Sequence, residues 1–172
     1  MLACAGALAQ PKSDWEVAQE ERNITEDAFT LPPLPKAEDL VEFKVSEANT
    51  FRFFLDGRHL STGKDGIVRY TLVARSTSGA ESVSFEGMRC KSGTYKVYAY
   101  ARLKEGVWSP NRSAEWQEVQ PKRVNRQHQA LRREYLCPQG VPVADRAEAV
   151  DALRRGGHPN AGDLSRSQTT AR

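Results

Sequence analysis

Apolar and polar side chains alternate through the middle of the chain. From residue 39 to residue 119 the period is two, which is typical of strands with one buried and one solvated face. The clearest segments are residues 40–45, 51–56, 67–75 and 94–104. Their apolar members are Val41, Phe43 and Val45; Phe51, Phe53 and Leu55; Val68, Tyr70, Leu72 and Ala74; and Tyr95, Val97, Ala99, Ala101 and Leu103. We therefore predict half-buried strands.

Turns that contain glycine separate these segments. Asp65-Gly66, Ser78-Gly79, Ser92-Gly93 and Glu105-Gly106 each place a residue that tolerates positive φ between two strand segments. Parallel strands would need helical crossovers, and the intervals are too short for them. The sequence predicts an antiparallel meander of about six or seven strands, arranged as one sheet or as a sandwich.

The period changes after residue 121. Val124, His128, Leu131 and Tyr135 fall on one face of a helix, opposite Arg126, Gln129 and Arg133. A second helix is predicted over residues 146–155, with Asp145 as its N-cap and Gly156 at its end. The predicted fold class is α+β, an antiparallel β-meander with two carboxyl-terminal helices.

The predicted domain, residues 37–157, has a less regular segment on each side. Residues 10–36 form an acidic, proline-rich arm that we expect to lie along the domain or to be partly mobile, because its prolines impose extended backbone. Ser13 and Glu16 have the spacing of a helix capping box. Residues 158–172 are rich in Ser, Thr and Gly, and we predict a disordered tail.

The first nine residues have the composition of a processing signal. They are small and apolar, and Ala7-Leu8-Ala9 matches the pattern that signal peptidase cleaves. A positively charged n-region is missing, so we interpret residues 1–9 as a residual signal peptide whose true start lies upstream. A chance apolar cap is one alternative. A lipid-modified Cys4 is another, although Leu2 stands one position too close for the usual lipobox.

Charge is distributed unevenly along the chain. The net charge is +3, but residues 1–45 hold nine Asp/Glu against four Lys/Arg, whereas residues 121–172 hold five against ten. A basic carboxyl-terminal third can attract polyanions, but the interpretation we favour is an ordinary solvated helix surface. No apolar run approaches the ~20 residues of a membrane-spanning helix. With three cysteines and three histidines in the chain, we expect neither a metal nor a cofactor.

Cys90 and Cys137 are the two cysteines left once the leader is removed. In an oxidising compartment the simplest interpretation of such a pair is a disulfide. Its loop of about 48 residues would contribute roughly 4 kcal/mol in the chain-entropy model. In a cytosolic protein the same residues would be ordinary buried thiols.

Candidate catalytic groups are few and scattered. Cys137 with His128 or His59 would form a thiol nucleophile and its base. A disulfide would consume that thiol, however, and His128 lies on the packed helix face, so a core histidine is the favoured interpretation. His59 is expected in a hairpin loop and His158 in the tail. The carboxylates are not clustered, and no metalloprotease, phosphate-binding or nucleophile-elbow motif occurs.

A basic and aromatic stripe on the last strand segment is the candidate binding surface. Its residues are Lys96, Tyr98, Tyr100 and Arg102, extended on the first helix by Arg126, Arg132 and Arg133. Such a mixture is typical of surfaces that stack single-stranded nucleic acid or glycan. It is equally typical of a sheet face covered by a helix. We favour the covered face, with the basic helix as its cover.

Several long runs, in order, resemble the cryptic neisserial protein family. They are residues 31–43 (LPPLPKAEDLVEF), 52–56 (RFFLD), 65–73 (DGIVRYTLV), 78–81 (SGAE), 85–90 (FEGMRC), 125–128 (NRQH) and 133–138 (REYLCP). The resemblance spans about residues 28–157. It implies an exported envelope protein of a Gram-negative bacterium, in a family where lipoproteins are expected, and it supports pairing Cys90 with Cys137. It implies no activity and no catalytic residues.

We therefore predict a non-catalytic periplasmic or cell-envelope protein, anchored by lipid only if Cys4 is modified. The expected partner is an envelope protein or an anionic glycan, and nucleic acid is not expected because the protein is exported. The alternative is a periplasmic hydrolase that uses a cleft carboxylate or His59. An enzyme needs a pocket in which polar groups converge, whereas a binder needs only an exposed patch.

Overall fold

Eight strands in the described part of the chain form one antiparallel sheet. The computed structural model describes residues 13, 15–16, 19–20, 23–45, 50–120 and 126–161. The strands are β1 (Leu40–Phe43), β2 (Phe51–Asp56), β3 (Ser61–Thr62), β4 (Ile67–Ser76), β5 (Glu81–Arg89), β6 (Thr94–Arg102), β7 (Val107–Pro110) and β8 (Gln117–Glu118). Their order is β1-β2-β4-β5-β6-β7, with β3 paired to β4 and β8 to β6. The predicted meander is confirmed, as a single open sheet rather than a sandwich.

In the described part of the chain, two helices follow the sheet, as predicted. Helix α1 (Arg126–Ala130) continues into a π-helical segment, Leu131–Leu136, and a 3-10 turn then leads to α2 (Arg146–Arg155). The Asp145 carboxylate accepts the Glu148 N–H at 2.9 Å. Gly156 ends α2 in the left-handed region, with φ of 78°. Both predicted ends of α2 are therefore confirmed, and the fold class is α+β.

The main core lies between the sheet and the helices. Its fully buried side chains include Leu55, Tyr70 and Met88 from the strands and Leu131, Tyr135 and Leu136 from the π-helical segment. Cys90, just after β5, and Cys137, just after the π-helical segment, form a disulfide with a Cα–Cα distance of 5.2 Å. The predicted disulfide therefore joins the sheet to the helical layer.

Much of the other face of the sheet is also buried, which corrects the expectation of a solvated face along β4, whereas the Arg52 side chain on the same face stays 67% exposed. Arg69 and Thr71 of β4, both expected in solvent, are 3% and 0% exposed. The amino-terminal arm covers this face, where the Phe29 ring lies 5.6 Å from the Phe85 ring and 4.6 Å from the Tyr98 ring, between centroids. Alternation misled here because the arm covers the polar side chains of β4, and Arg69 finds its acceptors in the Asp65 carboxylate and the Asp27 carbonyl.

A β-bulge in β6 corrects the predicted binding stripe. Val97 pairs with Glu86 and Ala99 pairs with Phe85, which leaves Tyr98 as the extra residue. One extra residue shifts the alternation of the strand by one position. Lys96 and Tyr98 therefore lie beneath the arm, whereas Tyr100 and Arg102 lie on the opposite face.

Three predictions concern the chain ends. The capping box is confirmed: the Ser13 N–H lies 2.8 Å from Glu16 Oε2, and the Glu16 N–H lies 3.4 Å from Ser13 Oγ. Residues 158–161 are ordered, which corrects that part of the predicted tail, because His158 is 8% exposed and its N–H donates to the Glu134 carbonyl at 2.6 Å. Residues 1–9, including Cys4, and residues 162–172 lie outside the described residues.

Candidate binding cleft

A cleft of about 750 Å³ lies at the β1 edge of the sheet. It is bounded by the 3-10 turn Ala37–Asp39, strand β1, the loop after β2 and one face of α2. The charged side chains that line it are Glu38, Asp39, Glu42, Arg58, Arg146 and Arg154. We call this site the arginine cleft.

Helix α2 supplies one wall of the arginine cleft. Arg146, Val150 and Arg154 line it, and their spacing of four residues places them on one helix face. Ala149 and Leu153, on the adjacent face, are 0% and 2% exposed in the core. Burial of those two residues fixes the rotation of α2, and it therefore fixes which side chains reach the cleft.

The loop after β2 supplies the third arginine. Asp56 has no exposed surface, and its carboxylate accepts the Arg58 N–H at 2.8 Å. The Gly57 N–H donates to the Asp39 carbonyl at 2.9 Å. A Cβ on Gly57 would lie 3.1 Å from Val41 and 3.4 Å from Val150, so glycine allows β1 and α2 to approach each other around this loop.

The arginines of the cleft lack ion-pair partners within the described ranges. All three are exposed, and no described carboxylate lies within 4.0 Å of Arg58, Arg146 or Arg154. Arg146 Nη1 lies 3.4 Å from the Gly57 carbonyl oxygen. Guanidinium groups recognise carboxylates and phosphates through two parallel hydrogen bonds. The arrangement can therefore hold an anionic group.

Carboxylates form the facing wall of the arginine cleft. Glu42 is held by Arg52 in two hydrogen bonds, of 2.8 Å and 2.6 Å, and these bonds keep the pKa of Glu42 below its usual value. Glu38 and Asp39 have no ion-pair partner among the described residues. The lining includes no hydroxyl, thiol or imidazole side chain from the described chain, so its chemistry is ion pairing and hydrogen bonding.

The predicted stripe residues Lys96 and Tyr98 bind the arm. The Glu26 carboxylate accepts hydrogen bonds from Lys96 Nζ at 2.9 Å, from the Tyr98 hydroxyl at 2.9 Å and from Trp116 Nε1 at 3.0 Å. Burial acts to raise the pKa of Glu26, but the three donors outweigh it and the pKa lies below its usual value. The cover of this face is the arm, which corrects the prediction that the basic helix covers it.

A second pair of hydrogen bonds, between Asp27 of the arm and Asp65, also fixes the arm on the sheet. Asp27 and Asp65 exchange backbone-to-carboxylate hydrogen bonds of 2.8 Å and 3.1 Å, and Arg69 Nη2 donates to Asp65 Oδ2 at 2.6 Å. Burial acts to raise the pKa of Asp65, but the Arg69 hydrogen bond and the backbone donors lower it overall. The arm is therefore held by charged contacts as well as by Phe29.

The other predicted surface residues are dispersed. Tyr100 is 51% exposed, and Arg102 pairs with Glu105 at 2.9 Å. Arg126 begins α1, and Arg133 is exposed on the π-helical segment. Arg132 lies 3.3 Å from the Cys90 carbonyl oxygen. The seven residues of the predicted surface therefore occupy different faces of the domain.

His128 and Cys137, the candidate base and nucleophile, both have structural roles. His128 is 4% exposed, lies 2.7 Å from Glu86 Oε2 and stacks on Tyr95 with centroids 3.8 Å apart. The interpretation of His128 as a core histidine is confirmed. Cys137 is in the disulfide, so it is not a thiol nucleophile.

Sequence reasoning missed the arginine cleft. The spacing of Arg146 and Arg154 marks one face of the predicted second helix, and that signal was available. Arg58 stands 88 residues earlier than Arg146, in the loop after β2. Only the packing of α2 against β1 brings the two together.

The fold and the cleft define an α+β protein with a charged cleft at one sheet edge. The chain belongs to the CNP1-like family, whose model matches residues 19–154, so the resemblance found in the sequence is confirmed. The chain is similar to "Cryptic neisserial protein 1" of Neisseria gonorrhoeae, with 29% identity over 150 residues, which covers 77% of this chain and 72% of that protein. No solved structure matches the chain. In the described part of the chain, no helix is long and apolar enough to cross a membrane.

Proposed function

We propose that this chain is an exported, non-catalytic cell-envelope protein that binds an anionic group of an envelope partner in the arginine cleft. One observation carries the proposal: Arg58, Arg146 and Arg154 line the same cleft without a carboxylate partner among the described residues. The partner is an envelope protein or a glycan that presents carboxylates or phosphates.

The physical basis is the convergence of three cationic side chains on one cleft. An isolated exposed ion pair is worth only about 0–1 kcal/mol, so a single surface arginine would bind little. Three guanidinium groups around one concave site can act together on a single anionic ligand. Buried Ala149 and Leu153 orient α2, and Asp56 orients the loop of Arg58.

The disulfide supports the exported location. Disulfides persist in oxidising compartments and are rare in the cytosol, and Cys90–Cys137 is buried within the main core. The family assignment adds to this support, because the sequence resemblance implies an envelope protein. The proposal therefore combines an oxidising location with an anion-binding cleft.

The direct test is the affinity of the oxidised protein for a purely anionic probe. We expect N-acetylated, carboxyl-amidated tetraglutamate to bind in low salt, and the triple variant Arg58→Gln, Arg146→Gln, Arg154→Gln to bind it at least tenfold more weakly in titration calorimetry. The control removes three exposed arginines elsewhere, as Arg102→Gln, Arg112→Gln, Arg133→Gln, and should stay within about threefold of the parent. Equal losses in both triple variants would show a net-charge effect and refute the proposal.

A second candidate function rests on one imidazole. His59 is partly exposed, and its Nδ1 lies 2.8 Å from Oδ2 of the fully buried Asp56. A carboxylate that orients a histidine in this way is a component of hydrolytic sites. This hydrolase alternative predicts turnover of chromogenic ester or glycoside substrates that His59→Ala abolishes. The binding proposal predicts no such turnover and unchanged tetraglutamate binding in His59→Ala.

A further inference from the structure

We infer that the arginine cleft takes a short, extended peptide of net negative charge with a free amino terminus. Its ammonium group lies against Glu38 and Asp39, and its carboxylates lie against the arginines. The inference rests on the proposed function and narrows the ligand from any anion to one chemical class.

The acidic wall of the cleft indicates that the ligand carries an ammonium group. Glu38 and Asp39 face the cleft and have no cationic partner in the described ranges, whereas Glu42 is already neutralised by Arg52. Two carboxylates repel a ligand that carries only negative charge. A ligand with an ammonium group removes that repulsion. Since the arginines outnumber these two carboxylates, the complementary ligand keeps a net negative charge.

The backbone of Glu42 faces outward on the edge of β1. Hydrogen-bonded pairs alternate along an antiparallel ladder. The Gly57 N–H donates to the Asp39 carbonyl at 2.9 Å, and Val41 pairs with Leu55 two residues further along. Glu42 therefore directs its own N–H and carbonyl away from β2. No other strand of the described chain lies on that side. The Leu40 N–H donates to the Ala37 carbonyl, and Lys44 bonds the Tyr135 hydroxyl through its N–H and its carbonyl. Glu42 is therefore the residue of β1 that offers both backbone groups to an extended peptide.

The spacing of the arginines on α2 sets the length of the peptide. Arg146 and Arg154 are eight residues apart on α2, which corresponds to about 12 Å along a helix axis. An extended peptide rises about 3.3 Å per residue. About four peptide residues span that distance. A tetrapeptide is therefore the natural probe.

The experiment compares the tetrapeptide Ala-Glu-Ala-Glu with its N-acetylated form on the oxidised protein. Acetylation removes the ammonium group and makes the peptide more anionic. We expect the free peptide to bind at least fivefold more tightly than the acetylated one. In the variant Glu38→Gln, Asp39→Asn this preference should disappear. The matched control Glu105→Gln, Glu118→Gln removes two exposed carboxylates elsewhere and should keep the preference.

The outcomes separate this inference from the function it rests on. If the acetylated peptide binds equally or more tightly, and the triple arginine variant still loses it, the anion-binding proposal stands and the peptide inference is wrong. If neither peptide binds the parent protein above the level of the triple arginine variant, both are wrong. Thermal unfolding of each variant establishes that a lost preference does not come from a lost fold.

Discussion

Asp56 and His59 are joined across the loop that follows β2. Oδ2 of Asp56, a residue with no exposed surface, lies 2.8 Å from Nδ1 of the partly exposed His59 ring. The other oxygen, Oδ1, accepts the Arg58 N–H. One buried carboxylate therefore holds the loop that brings Arg58 to the arginine cleft.

Removal of that carboxylate should loosen the loop. Asp56→Ala leaves the Arg58 N–H and the His59 ring without their acceptor, and we expect a loss of about 1–3 kcal/mol in the free energy of unfolding. Urea denaturation measures it. Asp151→Asn is the control, because Asp151 pairs with Arg155 on the exposed side of α2 and its loss should change stability little. Equal effects of the two substitutions would contradict the role assigned to Asp56.

The disulfide should stabilise the domain substantially. Replacing Cys90 and Cys137 with alanine should lower the free energy of unfolding by roughly 2–5 kcal/mol, because the unfolded chain regains the entropy of an open loop. Exported protein treated with an alkylating agent should show, by intact mass, no thiol from this pair. The variant Cys90→Ser should show a reactive thiol at Cys137. Two alkylatable thiols in the unmodified exported protein would show that the bond does not form there.

Acid should release the amino-terminal arm. The pKa values of Glu26 and Asp65 are lower in the folded protein than their ordinary values, which are about 4 in unfolded chains. Their contribution to stability is therefore complete above those ordinary values and is lost as the pH falls through the lower folded-state values. The Trp116 indole N–H donates a hydrogen bond to the Glu26 carboxylate. The NMR resonance of that N–H should therefore shift over the same acidic pH range. In Glu26→Gln this shift should be absent; a shift of equal size there would assign the transition to another group.

Loss of the Phe29 ring should also release the arm. Phe29 packs on Phe85 and Tyr98 but is 39% exposed, so Phe29→Ala should cost about 1–2 kcal/mol. Hydrogen exchange should speed up at the Asp27 amide, which donates to Asp65, while the amides of β4 stay protected. If the Asp27 amide keeps its full protection, the charged contacts alone hold the arm.

The sequence predicted those features of the fold that depend on local periodicity. Strand β2 has its predicted bounds, and α2 has its predicted caps, because Asp145 and Gly156 act on backbone groups close to them in sequence. The disulfide followed from the count of cysteines together with the inferred compartment. Each of these inferences needs only neighbouring residues or composition.

Features that depend on long-range packing could not be predicted in this way. The bulge at Tyr98 reverses the alternation of β6 without an unusual residue to mark it. Arg69 and Lys96 are ordinary surface residues by type, and they are buried or half-buried because the arm brings Asp27 and Glu26 to them. The arginine cleft forms only because α2 packs against β1, and the hydrophobic periodicity of the sequence does not show which elements pack together.

The most direct measurement is the location of an anion on the oxidised protein, by amide chemical-shift mapping with N-acetylated, carboxyl-amidated tetraglutamate. The largest shifts should lie on Gly57, Arg58, Arg146, Val150 and Arg154. The same titration of the triple arginine variant should remove them. Shifts centred instead on α1 and the π-helical segment, around Arg126 and Arg133, would contradict the assignment of the arginine cleft as the binding site.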